Sequence, residues 1–171
     1  MTIENAKKAK GEKQTQEIVD PEIDMHGIDG EPSDQTYLQT HEEINRELCG
    51  ELIKLERGYV ELRLTTTYPM VADNQGLIHG GFIFGAADFA AMACVNERNV
   101  VLVGSDCQFL SPVKMGDEVN FVARVRHKEG RKRNVHVEAF VLNIKVFEGE
   151  FKTVVTERHV LKLRLLEEQK E

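Results

Sequence analysis

The longest apolar segment of the chain runs from Phe82 to Val95, and Asp88 is its one charged residue. A helix that is hydrophobic on every side has to be buried in a protein or a membrane. Fourteen residues rise about 21 Å as a helix, which is short of the ~30 Å hydrocarbon core of a bilayer. The pattern therefore predicts a central helix buried within the protein.

Apolar and polar residues alternate on both sides of this segment, which predicts strands. Two strands precede the helix, at 51–57 and 59–67, and four follow it, at 100–110, 118–127, 134–147 and 151–166, with turns at 115–117, 129–130 and 148–150. Turns this short join antiparallel neighbours, because parallel pairing needs a longer crossover. We therefore expect an α+β domain, with one antiparallel sheet and one long central helix.

The chain begins differently, since residues 1–33 are polar and charged and contain no aromatic residue. This composition predicts a flexible N-terminal extension, with the folded domain at 34–171. A short amphipathic helix is expected at the start of the domain. Thr40 and Glu43 have the spacing of a capping box, and Gly50 marks the end of this helix.

Composition narrows the classes of function. The 171 residues carry a net charge of −7, which argues against a nucleic-acid binder that works through its overall charge. The three cysteines show no metal-ligand spacing, so we expect free thiols in a reducing compartment. Neither a secretion signal nor a run of 18 apolar residues is present, and we expect a cytoplasmic protein without membrane partners.

Asp88 is the first candidate for chemistry, because carboxylates are almost never fully buried unless they are paired or used. The alternative is a core helix with Asp88 solvated near one end. Gly80 and Gly81 precede the apolar run and would leave free N–H groups at the positive end of the helix dipole, a suitable place for an oxyanion. They would equally allow tight packing, and His79 fits a capping or packing role as well as a functional one.

Helix geometry limits which of these residues can act together. His79 and Asp88 are nine residues apart, on opposite faces and about 13 Å apart along the axis if His79 is helical. Gly81 and Asp88 share a face but are separated by about 10 Å, too far for one reacting carbon to lie near both. A two-fold dimer would bring the helix start of one subunit to Asp88 of the other.

The motif HGG, with Asp88 nine residues after the histidine in a long apolar helix, resembles the hotdog-fold acyl-CoA thioesterases, in particular the phenylacetate-pathway branch. FLSPVKMGDEV followed by ARVRH resembles the same family, and the likeness covers about 36–166. It implies a sheet curled around one helix, and homodimers that share two sites and can pair into tetramers. It also implies that Asp88 attacks the thioester or activates water, that the Gly81 N–H polarises the carbonyl, and that no metal or organic cofactor takes part.

Some positions depart from the family pattern. Relatives commonly carry an amide where this chain has Asp73, so Asn74 is assigned the role of orienting the carbonyl. Ser105 or Asp106 is expected to position water. The resemblance places coenzyme A phosphates near a basic hairpin, and a solvated hairpin is the alternative. Its members are Arg124, Arg126, Lys128, Arg131, Lys132 and Arg133.

Thioester hydrolysis is therefore the leading hypothesis, with acyl-CoA as the substrate and Gly80 and Gly81 at its carbonyl. A second hypothesis is a non-catalytic acyl-CoA sensor, since hotdog domains also occur in regulators. Such regulators carry a DNA-binding helix-turn-helix, and residues 1–35 are too polar to form one. A hydratase would need a different arrangement of His and acid. A cysteine enzyme is disfavoured, since no histidine pairs with Cys94 in sequence.

Overall fold

Six strands form one antiparallel sheet in the computed structural model, which describes residues 37–162. The strands are β1 Glu51–Glu56, β2 Tyr59–Thr65, β3 Val100–Phe109, β4 Glu118–Glu129, β5 Lys132–Val141 and β6 Ile144–Val155. Their order across the sheet is β1-β2-β4-β5-β6-β3, and every neighbouring pair is antiparallel. The predicted α+β class with a single antiparallel sheet is confirmed.

The long helix, α2 (Gly80–Val95), packs against one face of this sheet. One row of side chains across the sheet shows why this face is apolar, because Leu62, Phe121, Ala139 and Phe147 stand opposite one another in register and are all buried. Small side chains on the helix, mostly alanine, let it lie close to the strands. The helix ends at Asn96, whose left-handed backbone lets its N–H donate to the Met92 carbonyl.

The sheet has two edges, β1 and β3. β3 is ten residues long, and its side chains Val103 and Phe109 are 61% and 55% exposed. A long edge strand presents a row of unpaired backbone groups and is a natural place for another strand to pair. Compared with the six-residue β1, β3 is the longer edge and the one with more exposed apolar side chains.

The predicted N-terminal helix is much shorter than its pattern indicated. The observed helix, α1, covers only Arg46–Cys49, and its cap is Asn45, whose side-chain oxygen accepts from the N–H groups of Glu47 and Leu48. Thr40 is buried, and its hydroxyl lies 2.8 Å from His41 Nδ1. The capping box at Thr40 and Glu43 is therefore wrong. Gly50 does end the helix, as predicted.

The predicted turn at 148–150 is also wrong, because β6 runs through it without interruption. Gly149 faces Cys107 of β3, and a Cβ at this glycine would lie 2.7 Å from the Cβ of Cys107. The glycine therefore serves close strand packing. The chain turns instead at Leu142 and Asn143, where Leu142 has a φ of 52°. The last strand ends at Val155, earlier than the predicted 166.

The predicted N-terminal extension, 1–33, lies outside the described residues. No helix within 37–162 is long and apolar enough to cross a membrane.

Candidate functional site

Asp88 lies in the second half of α2, and its side chain is only partly accessible. Its Oδ1 atom is fully buried and has no hydrogen-bond partner among the described residues. Burial raises the pKa of this carboxyl to about 6. Burial, and after it the charge of Asp88, raises the pKa of the Cys49 thiol, because α1 brings Cys49 near the carboxylate. An unsatisfied buried carboxylate is costly and is typical of a functional position.

The free energy of unfolding is expected to report this burial directly through its pH dependence. Folding raises the pKa of Asp88 from 3.8 to about 6, so the folded protein binds more protons between these values and loses stability as the pH rises through them. Two pKa units correspond to about 3 kcal/mol as an upper limit. Denaturant titrations should show Asp88→Asn gaining stability over the wild type from pH 4 to pH 6, with a constant difference above pH 7.

Asp106→Asn is the matched control, since Asp106 is exposed on the outer face of β3 opposite Glu150. It should show no such pH-dependent gain. A stability difference between Asp88→Asn and the wild type that is the same at pH 4 and pH 7 would contradict the burial of a charged carboxylate at this position.

The start of α2 supplies the second candidate group. His79 is the N-cap residue and makes no side-chain capping hydrogen bond. Its exposed ring lies over Gly81, where a Cβ would be 2.8 Å from His79 Nε2. The Gly81 N–H makes no hydrogen bond among the residues described. Gly81 therefore offers a free donor at the positive end of the helix dipole. A side chain at this position would displace the exposed His79 ring.

One face of α2 is open. At 100° per residue, Gly81, Gly85 and Asp88 lie within about 60° of one another around the axis. Gly81 is exposed, Gly85 and Asp88 are partly accessible, and nothing lies within 4 Å of a Cβ built on Gly85. Gly81 and Asp88 remain about 10 Å apart along the axis. Sequence reasoning missed Gly85, although its spacing of four residues from Gly81 and three from Asp88 was available as a signal.

The loop before the helix contains Asp73 and Asn74. The Asp73 carboxylate accepts from the N–H groups of Gln75 and Leu77, so it holds the turn of the loop together. Asn74 is exposed, and its side-chain oxygen accepts from Gln75 Nε2 at 3.3 Å. Asp73 therefore has a local structural role in the loop. Asn74 makes its hydrogen bond within the loop and none to the helix start.

The two candidates on β3 point in opposite directions. Ser105 stands opposite Phe151, which is buried and whose ring lies 5.6 Å from that of Phe84 on α2. Ser105 is therefore on the helix side of the sheet, and it is exposed because β3 is an edge. Asp106 stands opposite Glu150 on the outer side. Of the two residues, only Ser105 faces the side that carries Asp88.

The basic hairpin connects β4 and β5 at the other end of the sheet. Val125 donates its backbone N–H to the Gly58 carbonyl. Burial raises the pKa of the Cys94 thiol and the nearby backbone of Val125 lowers it, which places the hairpin near the C-terminal end of α2. Toward the opposite end of β5, Ala139 pairs with Phe147. Seven residues separate Ala139 from Lys132 along this strand, which is a distance of about 23 Å. Arg126 pairs with Glu150 and Arg131 with Glu157, whereas Lys128 and Lys132 are exposed. One chain therefore does not bring this cluster to its own helix start.

The outer face of the sheet carries the residues with metal-ligand spacing, His136, Glu138 and Glu148, within 4.8 Å of one another. The Lys145 ammonium already lies between the two carboxylates, 2.5 Å from Glu138 and 2.9 Å from Glu148. His136 Nδ1 lies 2.7 Å from Glu150. This cluster is a satisfied ion-pair network on the face away from Asp88.

The chain is similar to several known proteins. A family model described as the thioesterase superfamily matches residues 75–147, which include Gly81 and Asp88. An uncharacterized protein from Pyrococcus horikoshii is 41% identical, with a TM-score of 0.73, over 74% of this chain and 97% of that chain. A sigma28-regulated virulence protein from Campylobacter jejuni is 41% identical, with a TM-score of 0.71, over 73% of this chain and 89% of that chain. The chain belongs to the thioesterase superfamily.

The superfamily and the hotdog fold, both expected from the HGG motif and its surroundings, are confirmed. Solved structures that share the fold at lower identity include the Escherichia coli PaaI protein from the phenylacetic acid degradation operon, 23% identical with a TM-score of 0.60, over 66% of this chain and 83% of that chain. A Streptococcus mutans protein bound to acetyl CoA is 22% identical with a TM-score of 0.62, over 69% of this chain and 97% of that chain. At these identities the likeness extends to the fold alone.

Two curated relatives have quite different names. Methylthioribose-1-phosphate isomerase of Aquifex aeolicus is 53% identical over 117 residues, 68% of this chain but 26% of that protein. Transcription factor FapR of a Thermoanaerobacter species is 28% identical over 133 residues, 77% of this chain and 66% of that protein. This chain thus spans about a quarter of the first relative and about two thirds of the second, so each name describes a longer protein.

Proposed function

We propose that this member of the thioesterase superfamily hydrolyses an acyl-CoA thioester at a site shared by two subunits. The observation that carries the proposal is the buried, unpartnered Asp88 Oδ1 on a helix face that is otherwise open. A carboxylate with a pKa near 6 is deprotonated at neutral pH and basic enough to accept a proton, which suits a general base. The free Gly81 N–H supplies a donor for the carbonyl oxygen.

In the reaction, the thioester carbonyl oxygen accepts from the Gly81 N–H, and the helix dipole stabilises the negative charge that develops on it. Asp88 of the partner subunit then takes a proton from water as the water oxygen attacks the carbonyl carbon. The C–S bond breaks, the thiolate of coenzyme A takes a proton, and a carboxylic acid leaves. Attack by the Asp88 oxygen itself, followed by hydrolysis of the resulting anhydride, uses the same groups.

The dimer follows from the helix spacing. If α2 lies antiparallel to the partner's α2 with Gly81 facing the partner's Asp88, the two-fold axis passes midway, between residues 84 and 85. Gly85 has no side chain and nothing within 4 Å of its Cβ position, which supports a close approach of the helices there. The strand β3, which carries Ser105, is an exposed edge of the sheet and could pair with β3 of the second subunit.

The remaining predicted residues take supporting roles in this proposal. Ser105 faces the helix side and would position the attacking water, and His79 would cover the bound thioester at Gly81. Asn74 would orient the carbonyl after a change in the loop. The two-fold axis turns the partner's basic hairpin toward this subunit's helix start. Its exposed lysines, Lys128 and Lys132, with Arg126 and Arg131, would then meet the coenzyme A phosphates.

A non-catalytic acyl-CoA-binding regulator is the second candidate, favoured by the 28% identity to transcription factor FapR. Catalysis and sensing use the same binding surface and differ in turnover. The unpartnered carboxylate favours catalysis, because a buried charge is costly and a purely binding site transfers no proton that would make use of it.

A panel of acyl-CoA thioesters separates these functions. Free thiol release should show turnover that saturates with substrate and scales with enzyme concentration, at rates far above those of buffer alone. Tight binding by calorimetry, with no thiol release across acetyl, medium-chain, long-chain and aromatic acyl groups, would overturn hydrolysis and support the regulator. Absence of both binding and release would exclude both.

A further inference from the structure

An apolar groove lies beside the start of α2, between the helix, the end of β3 and the segment that follows it. Its volume is about 320 Å³. The inner wall consists of Ile78, Ile83, Val113 and Val146, which are all at most 4% exposed. Phe109 and Leu110 form the rim and are 55% and 44% exposed. The groove therefore has a buried apolar floor and an open apolar rim.

The groove begins one residue from the proposed carbonyl site, because Gly80 lines it and Gly81 follows directly. Gly80 lets the Phe109 ring approach the helix start closely. A Cβ at Gly80 would lie 3.1 Å from Cε1 of Phe109, whose ring also packs edge-on against Phe147 at 5.2 Å. The ring of Phe109 thus rests on the backbone of the helix start. It stands where a group attached to a carbonyl at Gly81 would pass.

The lining carries no charge, and Ser111 has its one polar side chain. The backbone N–H groups of Leu110 and Ser111 both donate to the Val146 carbonyl and are therefore occupied. A phosphate or a second carboxylate placed here would lose its hydration without gaining a partner, which is costly. The chemistry of the lining favours a neutral, apolar occupant.

We infer that this groove holds the acyl group of the substrate, and that the substrates are thioesters of neutral acyl groups of about ten non-hydrogen atoms. The inference rests on the proposed function for the position of the carbonyl. The length follows from the volume of about 320 Å³, since an apolar cavity of about 150 Å³ holds the six carbons of benzene, which gives room here for roughly ten or more non-hydrogen atoms. A medium aliphatic chain and an aryl-alkyl group share this chemistry. Phe109 and Leu110 determine the length accepted.

A series of saturated acyl-CoAs from two to sixteen carbons tests the groove. For the wild type, kcat/KM should rise about two- to fourfold per methylene once the chain enters the groove, and level off near ten carbons. Leu110→Trp adds bulk at the rim and should move this limit to shorter chains, lowering kcat/KM for decanoyl-CoA at least tenfold. Phe109→Ala removes a ring and should move the limit to longer chains.

Leu142→Trp is the matched control, since Leu142 is 88% exposed on a neighbouring hairpin and does not line the groove. It should leave both the length profile and the rate with acetyl-CoA unchanged. Succinyl-CoA should react at least a hundredfold more slowly than butyryl-CoA, because its carboxylate would be desolvated. Comparing kcat/KM for octanoyl-CoA and phenylacetyl-CoA shows whether the groove prefers an aliphatic acyl chain or an aromatic ring.

Length profiles that are the same for the wild type, Leu110→Trp and Phe109→Ala would overturn the groove while leaving hydrolysis intact. If the wild type hydrolyses no thioester, the proposed function fails, and binding of non-hydrolysable S-alkyl-CoA thioethers then tests the groove alone. The groove is supported if affinity rises with alkyl length up to about ten carbons and if this limit shifts in both variants. Affinity that is independent of length overturns it.

Discussion

Replacing Asp88 by asparagine is expected to lower kcat for acyl-CoA hydrolysis by about 10²- to 10⁴-fold, the range typical of losing a general base. The amide has the same shape as the carboxylate but cannot take the proton of the attacking water or attack the carbonyl itself. KM should change by only a few fold, because Gly81 and the groove still bind the substrate. Thiol release at substrate saturation measures the effect.

Asp106→Asn serves as the control and should keep full activity, since its side chain points to the outer face of the sheet. The wild-type rate adds a second check. With the pKa of Asp88 at about 6, kcat/KM should rise with pH through this value and reach a plateau above pH 7. An Asp88→Asn protein that retains more than a tenth of the wild-type kcat would remove Asp88 from the mechanism.

Gly85→Leu is expected to separate the subunits and to abolish hydrolysis with them. Nothing lies within 4 Å of the Cβ position of Gly85, so a single chain accommodates leucine, and the loss of a helical glycine even favours the fold by up to about 1 kcal/mol. On the proposed two-fold axis, however, two leucines would meet where two glycines cross. Sedimentation should show a monomer at micromolar concentration with unchanged circular dichroism.

Gly85→Ala provides a graded comparison, because it improves helix propensity to a similar extent but adds a single carbon. We expect an intermediate loss of dimer and of activity. A Gly85→Leu protein that remains a dimer with wild-type activity would contradict the crossing point, and a monomer with wild-type activity would contradict the shared site altogether.

Mixed dimers reveal the shared site independently. Gly81→Pro removes the N–H that is proposed to bind the carbonyl, and proline is tolerated in the first turn of a helix once the His79 ring moves aside. When Asp88→Asn chains are mixed with Gly81→Pro chains, each mixed dimer has one site with both defects and one site with neither. Activity should therefore return to about half of the wild-type value per mixed dimer, whereas two self-contained sites would stay inactive.

Several features of the fold were predictable because they depend on local patterns. The composition of Phe82–Val95 alone indicates a buried helix, and the helix is observed at Gly80–Val95. Alternation and short turns predicted six antiparallel strands. The prediction of a turn at 148–150 was wrong because Gly149 allows close packing between two strands. The true turn at Leu142 was missed because leucine rarely adopts a positive φ.

The sequence by itself determined that a single carboxylate would lie within the apolar helix, and that Gly81 and Asp88 would share a face at a separation too large for one site. Both conclusions follow from the helix repeat, a property of neighbouring residues. Only the tertiary structure decided that α1 lies beside Asp88, that Ser105 faces the helix while Asp106 faces away, and that Gly85 is open. It also assembled the groove from residues between 78 and 146, because contacts between distant segments depend on strand order and register, which no local pattern encodes.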